Sequence, residues 1–557
     1  MSIYLHQPSA DLGPHVQAVM ARWDVPLSTA PCEYRAHTAD FGVEITELLL
    51  AKEINTRVKN PLKSALTHKE MWDGFAFMHS AQNMEHIAQH LGIAIKRTGV
   101  FYSARDPFIH LPNGTTKLAC HSSHSLEAIH RTHSSNLYLN KTAATHTKNQ
   151  LFNTWSGYTH SLLPHLKEDC QHVFATPPSP FSYAYLEGGN MWIVSNPQSN
   201  GIKALIGSDS LHQTLHMLEL EQRSWSELAK ITHPHLTYQA LQNEIAATLT
   251  APEIKALMEE MFAAGLWQQA SKSGLIERKL QLDILLMKFL MADSPVIAAS
   301  DQGWFLKLAT KMGAVPPFTW QESDVEQTRS LAAAYQAKKL ITHYLIAHDL
   351  ALSPQDVHFM PQVLYHLDLF MRPGPKHTIF MTNFAFCAEL LAALDPLRLT
   401  EIDRKHLQRY LVTAQKLDLE LGPLLKKAGE VLQQAGFQVI PLPACWMYES
   451  ETMYQEFPMP AGGWNMNFIN ALTGWSAKTQ RYYYITHGMQ VGQRLGVLLM
   501  DLFVGVLQHY LPALEVYFIG RNPQDPTDFG EAMDWWNRLE TQSGIHCFTL
   551  ELASKTH

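Results

Sequence analysis

The sequence lacks the short motifs that identify several common classes of enzyme. It contains no phosphate-binding loop of the form GxxxxGK[ST], no GxGxxG dinucleotide motif and no HExxH zinc motif. Some histidines could be offered as metal ligands, but no adjacent cysteine or acidic framework supports zinc. These histidines are His86, His90, His121, His124, His130 and His133. We therefore expect neither a metal ion nor an organic cofactor.

Cysteine and charge are scarce as well. The six cysteines include no CxxC pair, which is typical of reduced thiols in a cytosol-like compartment. Charged residues make up 17% of the chain, and the formal net charge is -8. A general nucleic-acid-binding protein would instead show a basic stripe, so no nucleic-acid partner is expected.

Long apolar runs are also missing. The most apolar stretch, Leu495 to Leu507, contains Asp501 and is too short to span a bilayer, so it predicts a buried helix. The first residues have neither the basic nor the apolar part of a signal peptide. We expect a cytoplasmic protein with no membrane partner, and secretion by a route that needs no signal peptide is the alternative.

A repeated local pattern indicates the fold class. Three stretches read as a helix, then a glycine, then an apolar strand, and they are Ile87 to Ile95, Leu432 to Ile440 and Trp536 to Cys547. Glycine suits the left-handed residue that ends a helix, and the apolar run that follows is typical of a buried strand. The chain is therefore predicted to be an α/β protein.

The middle of the chain has a different texture. Between residues 209 and 349, apolar residues recur at helical spacing and strand-like runs are few. Thr250 and Glu253 match a capping box, which predicts that a new helix begins near residue 250. We predict a helical insertion at 209–349 within a catalytic domain that comprises 1–208 and 350–557.

Four short segments carry groups that could take part in catalysis. In chain order they are Ser103-Ala-Arg-Asp-Pro107, Leu186-Glu-Gly-Gly-Asn190, Tyr365-His-Leu-Asp368 and Gly544-Ile-His-Cys547. Together they supply a thiol, an imidazole and three carboxylates. Each segment alone also fits an ordinary turn, strand end or buried cysteine. The interpretation therefore depends on the whole set and its order.

Two of these segments are expected to be extended chain, which orients their side chains. In a strand, residues two apart share a face, so His366 and Asp368 are expected to point into one pocket. The same alternation puts Cys547 and His546 on opposite faces. Arg372, just past the third segment, is expected at the surface.

A planar guanidinium cation fits this set of groups. Guanidinium groups prefer bidentate carboxylate partners, and Asp106, Glu187 and Asp368 could supply them. The thiolate of Cys547 is a suitable nucleophile for the central carbon. His366 could then donate a proton to the departing nitrogen. The expected partner is a cationic substrate with a guanidino group.

In these segments the sequence resembles the pentein superfamily of guanidine-modifying enzymes, which includes arginine and agmatine deiminases, dimethylarginine hydrolases and amidinotransferases. The Arg-Asp-Pro, Glu-Gly-Gly-Asn, His-Leu-Asp and Gly-Ile-His-Cys elements are similar to that family's blocks and stand in its order. The resemblance implies a five-bladed α/β propeller of ββαβ units, here with a large all-helical insertion, and a covalent amidino-thioether intermediate. The implied catalytic residues are Cys547 and His366, and the implied substrate-binding residues are Asp106, Glu187, Asp368 and Asn190.

Several readings stay open beside a hydrolase that acts on the guanidino group. Glu187 and His366 are separated by 179 residues, more than a compact member of the family needs, so the substrate around the guanidino group is not defined. The alternatives are an amidinotransferase, a protein-arginine deiminase that recognises a protein through 209–349, and a non-catalytic pentein scaffold. The helical region could also form a homo-oligomer or bind a protein partner.

Overall fold

The computed structural model describes most of the chain, in stretches that are separated by several gaps. The described residues are 4–8, 12–28, 40–51, 78–98, 105, 108–110, 116–118, 183–184, 186, 188–199, 201–220, 223–256, 322–361, 363, 366–445, 466–489, 491–492, 494–520 and 545–555.

The strands are short and lie in both halves of the chain. They are β1 (Glu44–Ala51), β2 (Ala94–Thr98), β3 (Phe108–His110), β4 (Thr116–Leu118), β5 (Met191–Ser195), β6 (Ile202–Gly207), β7 (Val357–Met360), β8 (Met371–Pro373), β9 (Thr378–Asn383), β10 (Gln438–Pro443), β11 (Leu472–Ser476), β12 (Arg481–His487), β13 (Glu515–Ile519) and β14 (Thr549–Lys555).

Four three-stranded sheets share one arrangement. Each has an antiparallel pair, and its middle strand also pairs in parallel with the third strand. The sheets are β14-β1-β2, β5-β6-β7, β8-β9-β10 and β11-β12-β13, and β3 and β4 form a separate antiparallel pair. The first sheet joins the two ends of the described chain, because β14 pairs with β1.

Along the chain, most helices come between the middle strand of a sheet and the strand that pairs with it in parallel. They are α1 (Pro14–Arg22), α2 (Met78–Leu91), α3 (Ser208–Leu220), α4 (Trp225–Thr232), α5 (Tyr238–Thr248), α6 (Glu322–Asp349), α7 (Phe384–Ala393), α8 (Glu401–Gln434), α9 (Leu495–Tyr510) and α10 (Ile545–Phe548). A parallel pair needs a long crossover connection, and a helix supplies it in all four sheets. Three sheets have the chain order ββαβ, and in the first sheet the antiparallel partner, β14, comes from the other end of the chain. This combination of strands and helices confirms the α/β prediction.

Two of the three predicted helix–glycine–strand stretches are confirmed. Helix α2 ends before Gly92, whose φ is 84°, and α8 ends before Gly436, whose φ is 91°. Strands β2 and β10 follow directly. Only glycine adopts this backbone without a steric cost from Cβ. The residues 536–544 of the third stretch lie outside the described part of the structure.

The described regular structure between β6 and β7 is helical, as predicted. The predicted capping box is present, because the Thr250 backbone N–H donates to the Glu253 carboxylate over 2.8 Å while the Glu253 N–H donates back to the Thr250 hydroxyl. Buried apolar side chains join α3, α4, α5 and α6, and they include Leu218, Leu228 and Ile341. A second cluster packs the end of α6 against the β5-β6-β7 sheet.

Helix α9 is buried along most of its length, which confirms the prediction for the apolar stretch. Its Asp501 is tolerated there because the carboxylate pairs with the His6 imidazole at 2.6 Å, and both side chains are buried. His6 belongs to an N-terminal segment that adds to β13, where the His6 backbone N–H donates to the Val516 carbonyl. Within the described ranges no helix is both long and apolar enough to cross a bilayer.

Two local predictions near the candidate site are wrong. His366 is extended, but residues Leu367–Leu369 form a 3-10 turn rather than the end of a strand. Residues Ile545–Phe548 form a single helical turn rather than a strand. The alternation rule for strands therefore does not apply to either segment, and His546 need not point away from the site.

Candidate active site

The sheet register brings the candidate segments together in pairs. The first residue of β5 pairs with the end of β6, and the end of β6 pairs with the end of β7. The chain just before β5 and the chain just after β7 therefore lie at one edge of that sheet. These are the segments that contain Asn190 and His366.

The first sheet repeats this arrangement. Leu50, near the end of β1, pairs with Thr549 at the start of β14 on one side and with Arg97 near the end of β2 on the other. The chain before β14, which contains Cys547, and the chain after β2, which contains Arg105, therefore leave one edge of the first sheet.

A buried histidine–aspartate pair joins the third and fourth segments. His546 Nδ1 lies 2.7 Å from Asp368 Oδ2, and the side chains are 1% and 0% exposed. Away from water such a contact between an imidazole and a carboxylate is strong. The sequence predicted Asp368 as a ligand of the guanidinium. In the structure, one oxygen of its carboxylate contacts His546.

The His546 residue is held from three further directions. Its backbone N–H donates to Asn470 Oδ1 over 2.9 Å, and its carbonyl accepts from Arg105 Nε over 3.1 Å. The Trp192 indole lies against the imidazole, with ring centroids 4.4 Å apart and planes inclined by 33°. Trp192 is itself fixed, because its Nε1 donates to the Met371 carbonyl. The imidazole has little freedom to turn away from Asp368.

Arg105 ties the first segment to the fourth. Its Nε also donates to the Thr549 carbonyl over 3.1 Å, and its Nη2 forms an ion pair with Glu551 on β14. Both side chains of this pair are buried, at 6% and 4% exposed. Burying two charges is costly unless they are paired and hydrogen-bonded, and here they are. Arg105 thereby lies beside the turn that carries Cys547.

Asn190 ties the second segment to the third. Its Oδ1 accepts the Leu367 backbone N–H over 3.2 Å, and its Nδ2 donates to the Ser210 hydroxyl over 3.0 Å. Asn190 is 3% exposed and belongs to a 3-10 turn, Gly188–Asn190, directly before β5. All four segments singled out from the sequence are thus linked by buried hydrogen bonds.

Arg372 is buried beneath this network, and its predicted surface position is wrong. The guanidinium donates to the Ala471 carbonyl and the Thr473 hydroxyl, and it lies over the rings of Trp192 and Tyr484 at 5.7 and 5.2 Å. Burial lowers the pKa of Arg372, and the nearby Arg105 adds to that effect. The residue therefore places a second cation close to the His546–Asp368 pair.

The structure describes some of the predicted site residues and not others. His366 is 1% exposed and directly precedes the 3-10 turn that contains Asp368. Asp106, Glu187 and the Cys547 side chain lie outside the described part of the structure. The described thiols are poor nucleophiles, since burial raises the pKa of Cys387 to about 12 and also raises that of Cys445.

The sequence reasoning missed His546, Arg105, Trp192 and Arg372 as parts of this network. Two signals were present, because His546 directly precedes the predicted nucleophile and Arg105 directly precedes a predicted carboxylate. Assigning a strand to residues 545–547 removed His546 from consideration. Trp192 and Arg372 closely follow the second and third segments, but nothing in the sequence showed that their side chains turn toward His546 and Asp368.

Comparison with known proteins adds no assignment. No family model, curated protein or solved structure matches the chain. Among the side chains that the structure describes, no group of three or more histidine, cysteine, aspartate or glutamate residues is placed to hold a metal ion.

The network has a definite chemical capacity. His366 is buried two residues before Asp368, and the Asp368 carboxylate is held by a second imidazole, that of His546. A buried carboxylate favours a cation that can offset its desolvation. An imidazole is suited to proton transfer at neutral pH. Cation binding and proton transfer can therefore take place at the same edge of the two sheets.

Proposed function

We propose that this protein is a cysteine-dependent hydrolase that acts on the guanidino group of arginine or of a small molecule derived from it. The observation that carries the proposal is the buried hydrogen-bond network that links the four segments. These segments are separated by up to hundreds of residues in sequence, yet Arg105, Asn190, Asp368 and His546 join them at one place. Coincidental turns and strand ends would not converge in this way.

The proposed reaction divides the roles among the segments. The Cys547 thiolate attacks the central guanidinium carbon and forms a carbon–sulfur bond. His366 donates a proton to the departing nitrogen as its bond to carbon breaks, which leaves an amidino-thioether. His366 then removes a proton from water as the water oxygen attacks the same carbon. Cleavage of the carbon–sulfur bond restores the thiolate and releases the product.

The carboxylates have a binding role in this scheme. Asp368, with Asp106 and Glu187, holds the planar cation and orients its carbon toward sulfur. Asn190 supports the third segment through the Leu367 N–H, which keeps Asp368 in place. No step in the scheme requires a metal or an organic cofactor.

The finer fold that accompanies this proposal is a five-bladed pentein propeller. The four three-stranded sheets supply four candidate blades, and the antiparallel pair β3–β4 would belong to the fifth. The chain ends contribute to one blade together, since β14 pairs with β1. The helical region 209–349 would then be an enlarged crossover within the blade β5-β6-β7.

Product release from defined guanidines tests the proposal. Ammonia, amines and urea are measured after incubation of the full chain with arginine, agmatine, methylated arginines and an arginine-containing peptide, with and without an added amine acceptor. We expect one substrate to release ammonia or an amine, and Cys547→Ala to reduce turnover to background because the covalent step is lost.

A matched variant separates chemistry from folding. Cys387 is a buried thiol on α7 with a raised pKa, so Cys387→Ala should retain turnover while Cys547→Ala does not. Near-normal turnover by Cys547→Ala would refute the assignment of Cys547 as the nucleophile. Turnover that appears only with an amine acceptor would identify a transferase instead.

A further inference from the structure

The His546–Asp368 pair couples an imidazole, a group that can be neutral or protonated, to the carboxylate assigned to cation binding. Asp368 Oδ2 accepts from His546 Nδ1 at 2.7 Å. A carboxylate oriented in this way directs its other oxygen, Oδ1, in a fixed direction. An oriented oxygen is what recognition of a planar cation requires.

The charge of the pair depends on the protonation state of the imidazole. A neutral His546 that carries its proton on Nδ1 donates to Asp368 and leaves the full negative charge on the carboxylate. A second proton, on Nε2, makes the imidazole a cation and brings the net charge of the pair to zero. Since a guanidinium is attracted by that negative charge, its binding and the protonation of His546 oppose each other.

Other charged and titratable groups surround the pair and set which state prevails. Arg105 is neutralised by Glu551 on β14. Arg372 on β8 has neutral hydrogen-bond acceptors, Ala471 and Thr473, and interacts electrostatically with Asp368.

Two further titratable groups belong to the surroundings of His546. His366 lies in the same segment as Asp368, and Tyr484 is on β12, whose strand contacts α10. Burial raises the pKa of Tyr484, so its hydroxyl stays neutral in acidic and neutral solution. The cation of Arg372 opposes a second positive charge on His546, whereas the carboxylate of Asp368 favours it.

We propose that His546 is a positioning residue for guanidinium binding: it holds the Asp368 carboxylate through Nδ1, and its protonation cancels the charge that binds the cation. This inference rests on the proposed function, because it assumes that Asp368 contacts a guanidinium. It extends that function by giving substrate binding a built-in dependence on pH. Trp192 supports the same role by keeping the imidazole in the plane that reaches Asp368.

Binding measured without turnover tests the inference. The dissociation constants of agmatine, arginine and methylguanidine are measured by calorimetry with the full-length Cys547→Ala chain at pH 8.0 and pH 5.5. A complex that requires a neutral His546 is opposed by the second proton on the imidazole, so binding weakens as the pH falls. With His546 present we expect clearly weaker binding at pH 5.5 than at pH 8.0.

Two substitutions separate the role of His546 as a hydrogen-bond donor from its change of charge with pH. In His546→Asn the side-chain amide nitrogen stands close to the position of Nδ1, so it can donate to Asp368, but it does not titrate. We expect this variant to bind as tightly as its parent at pH 8.0 and to lose most of the parent's dependence on pH. His546→Leu removes the donor and should weaken binding about tenfold at both pH values, as loss of an outer partner of a ligating group does.

The outcomes distinguish this inference from the proposed function. A pH dependence in His546→Asn equal to that of the parent overturns the role of His546 and leaves the hydrolase proposal intact. Guanidine binding with the expected profile, in a chain whose turnover does not need Cys547, supports His546 and refutes the hydrolase proposal. Absence of binding by all three guanidines at pH 8.0 overturns both.

Discussion

His487 should make the folded protein sensitive to acid. It is the last residue of β12 and is 1% exposed. Burial lowers the pKa of His487 to about 3, because the charged imidazole would lose its hydration in the folded state. The unfolded chain keeps the ordinary value of about 6.5. Above pH 6.5 the group is neutral in both states and costs nothing.

The loss of stability follows from the two pKa values. As the pH falls below 6.5 the unfolded chain takes up a proton that the folded protein does not, so the free energy of unfolding decreases by about 1.4 kcal/mol per pH unit. At pH 5.0 the loss is about 2 kcal/mol relative to pH 8.0. The loss continues to grow until the pH reaches about 3, where the folded protein also binds the proton.

Urea unfolding, followed by tryptophan fluorescence at pH 8.0 and pH 5.0, measures this effect for the wild type and for His487→Gln. The variant cannot titrate at this position, so its decrease in unfolding free energy should be about 2 kcal/mol smaller than that of the wild type. Using the difference between the two chains removes the contribution of the other histidines. His15 on α1 is exposed, so His15→Gln serves as the control and should behave as the wild type. Equal decreases in the wild type and His487→Gln would refute the reasoning.

Two further predictions concern stability. The fully buried Asp403 carboxylate accepts the backbone N–H of Thr400 at the start of α8 and that of Arg494 at the start of α9. Asp403→Ala should therefore lower the unfolding free energy by about 2–3 kcal/mol, whereas Glu401→Ala, which removes an exposed pair in the same turn, should cost less than about 1 kcal/mol. Gly436 has a φ of 91°, so Gly436→Ala should cost about 1–2 kcal/mol, while Gly429→Ala, inside α8, should be neutral or stabilising. Urea unfolding at pH 8.0 measures all four, and equal effects within either pair would contradict the argument.

The parts of the fold that the sequence predicts best are those encoded by local chemistry. Gly92 and Gly436 end helices because a left-handed residue is needed there, and the apolar runs that follow become strands. The Thr250–Glu253 box is formed by two side chains three residues apart. These features depend on a few neighbouring residues, so no knowledge of the tertiary structure was required to find them.

The local geometry of the site was less predictable because distant contacts determine it. Residues 545–548 form a helical turn while the Arg105 guanidinium bonds the carbonyl of His546 and the Asn470 side chain accepts its N–H. Both partners are far away in sequence. Period-two alternation, which was used to orient His546, describes only a chain that is already extended. The four segments could be selected by their composition, and the structure links them by hydrogen bonds, whereas their conformation is determined by the fold.

The second and third segments can lie close together although Glu187 and His366 are 179 residues apart, and the sheet register shows how. Because β5 is antiparallel to β6 and β7 is parallel to β6, the start of β5 and the end of β7 share an edge whatever the length of the β6–β7 connection. The helical region can therefore be large without moving Asn190 away from Leu367. Loop-closure entropy rises only slowly with length, so such an enlargement is also thermodynamically tolerable. The 179 residues between Glu187 and His366 therefore do not prevent the second and third segments from meeting at one edge of the sheet.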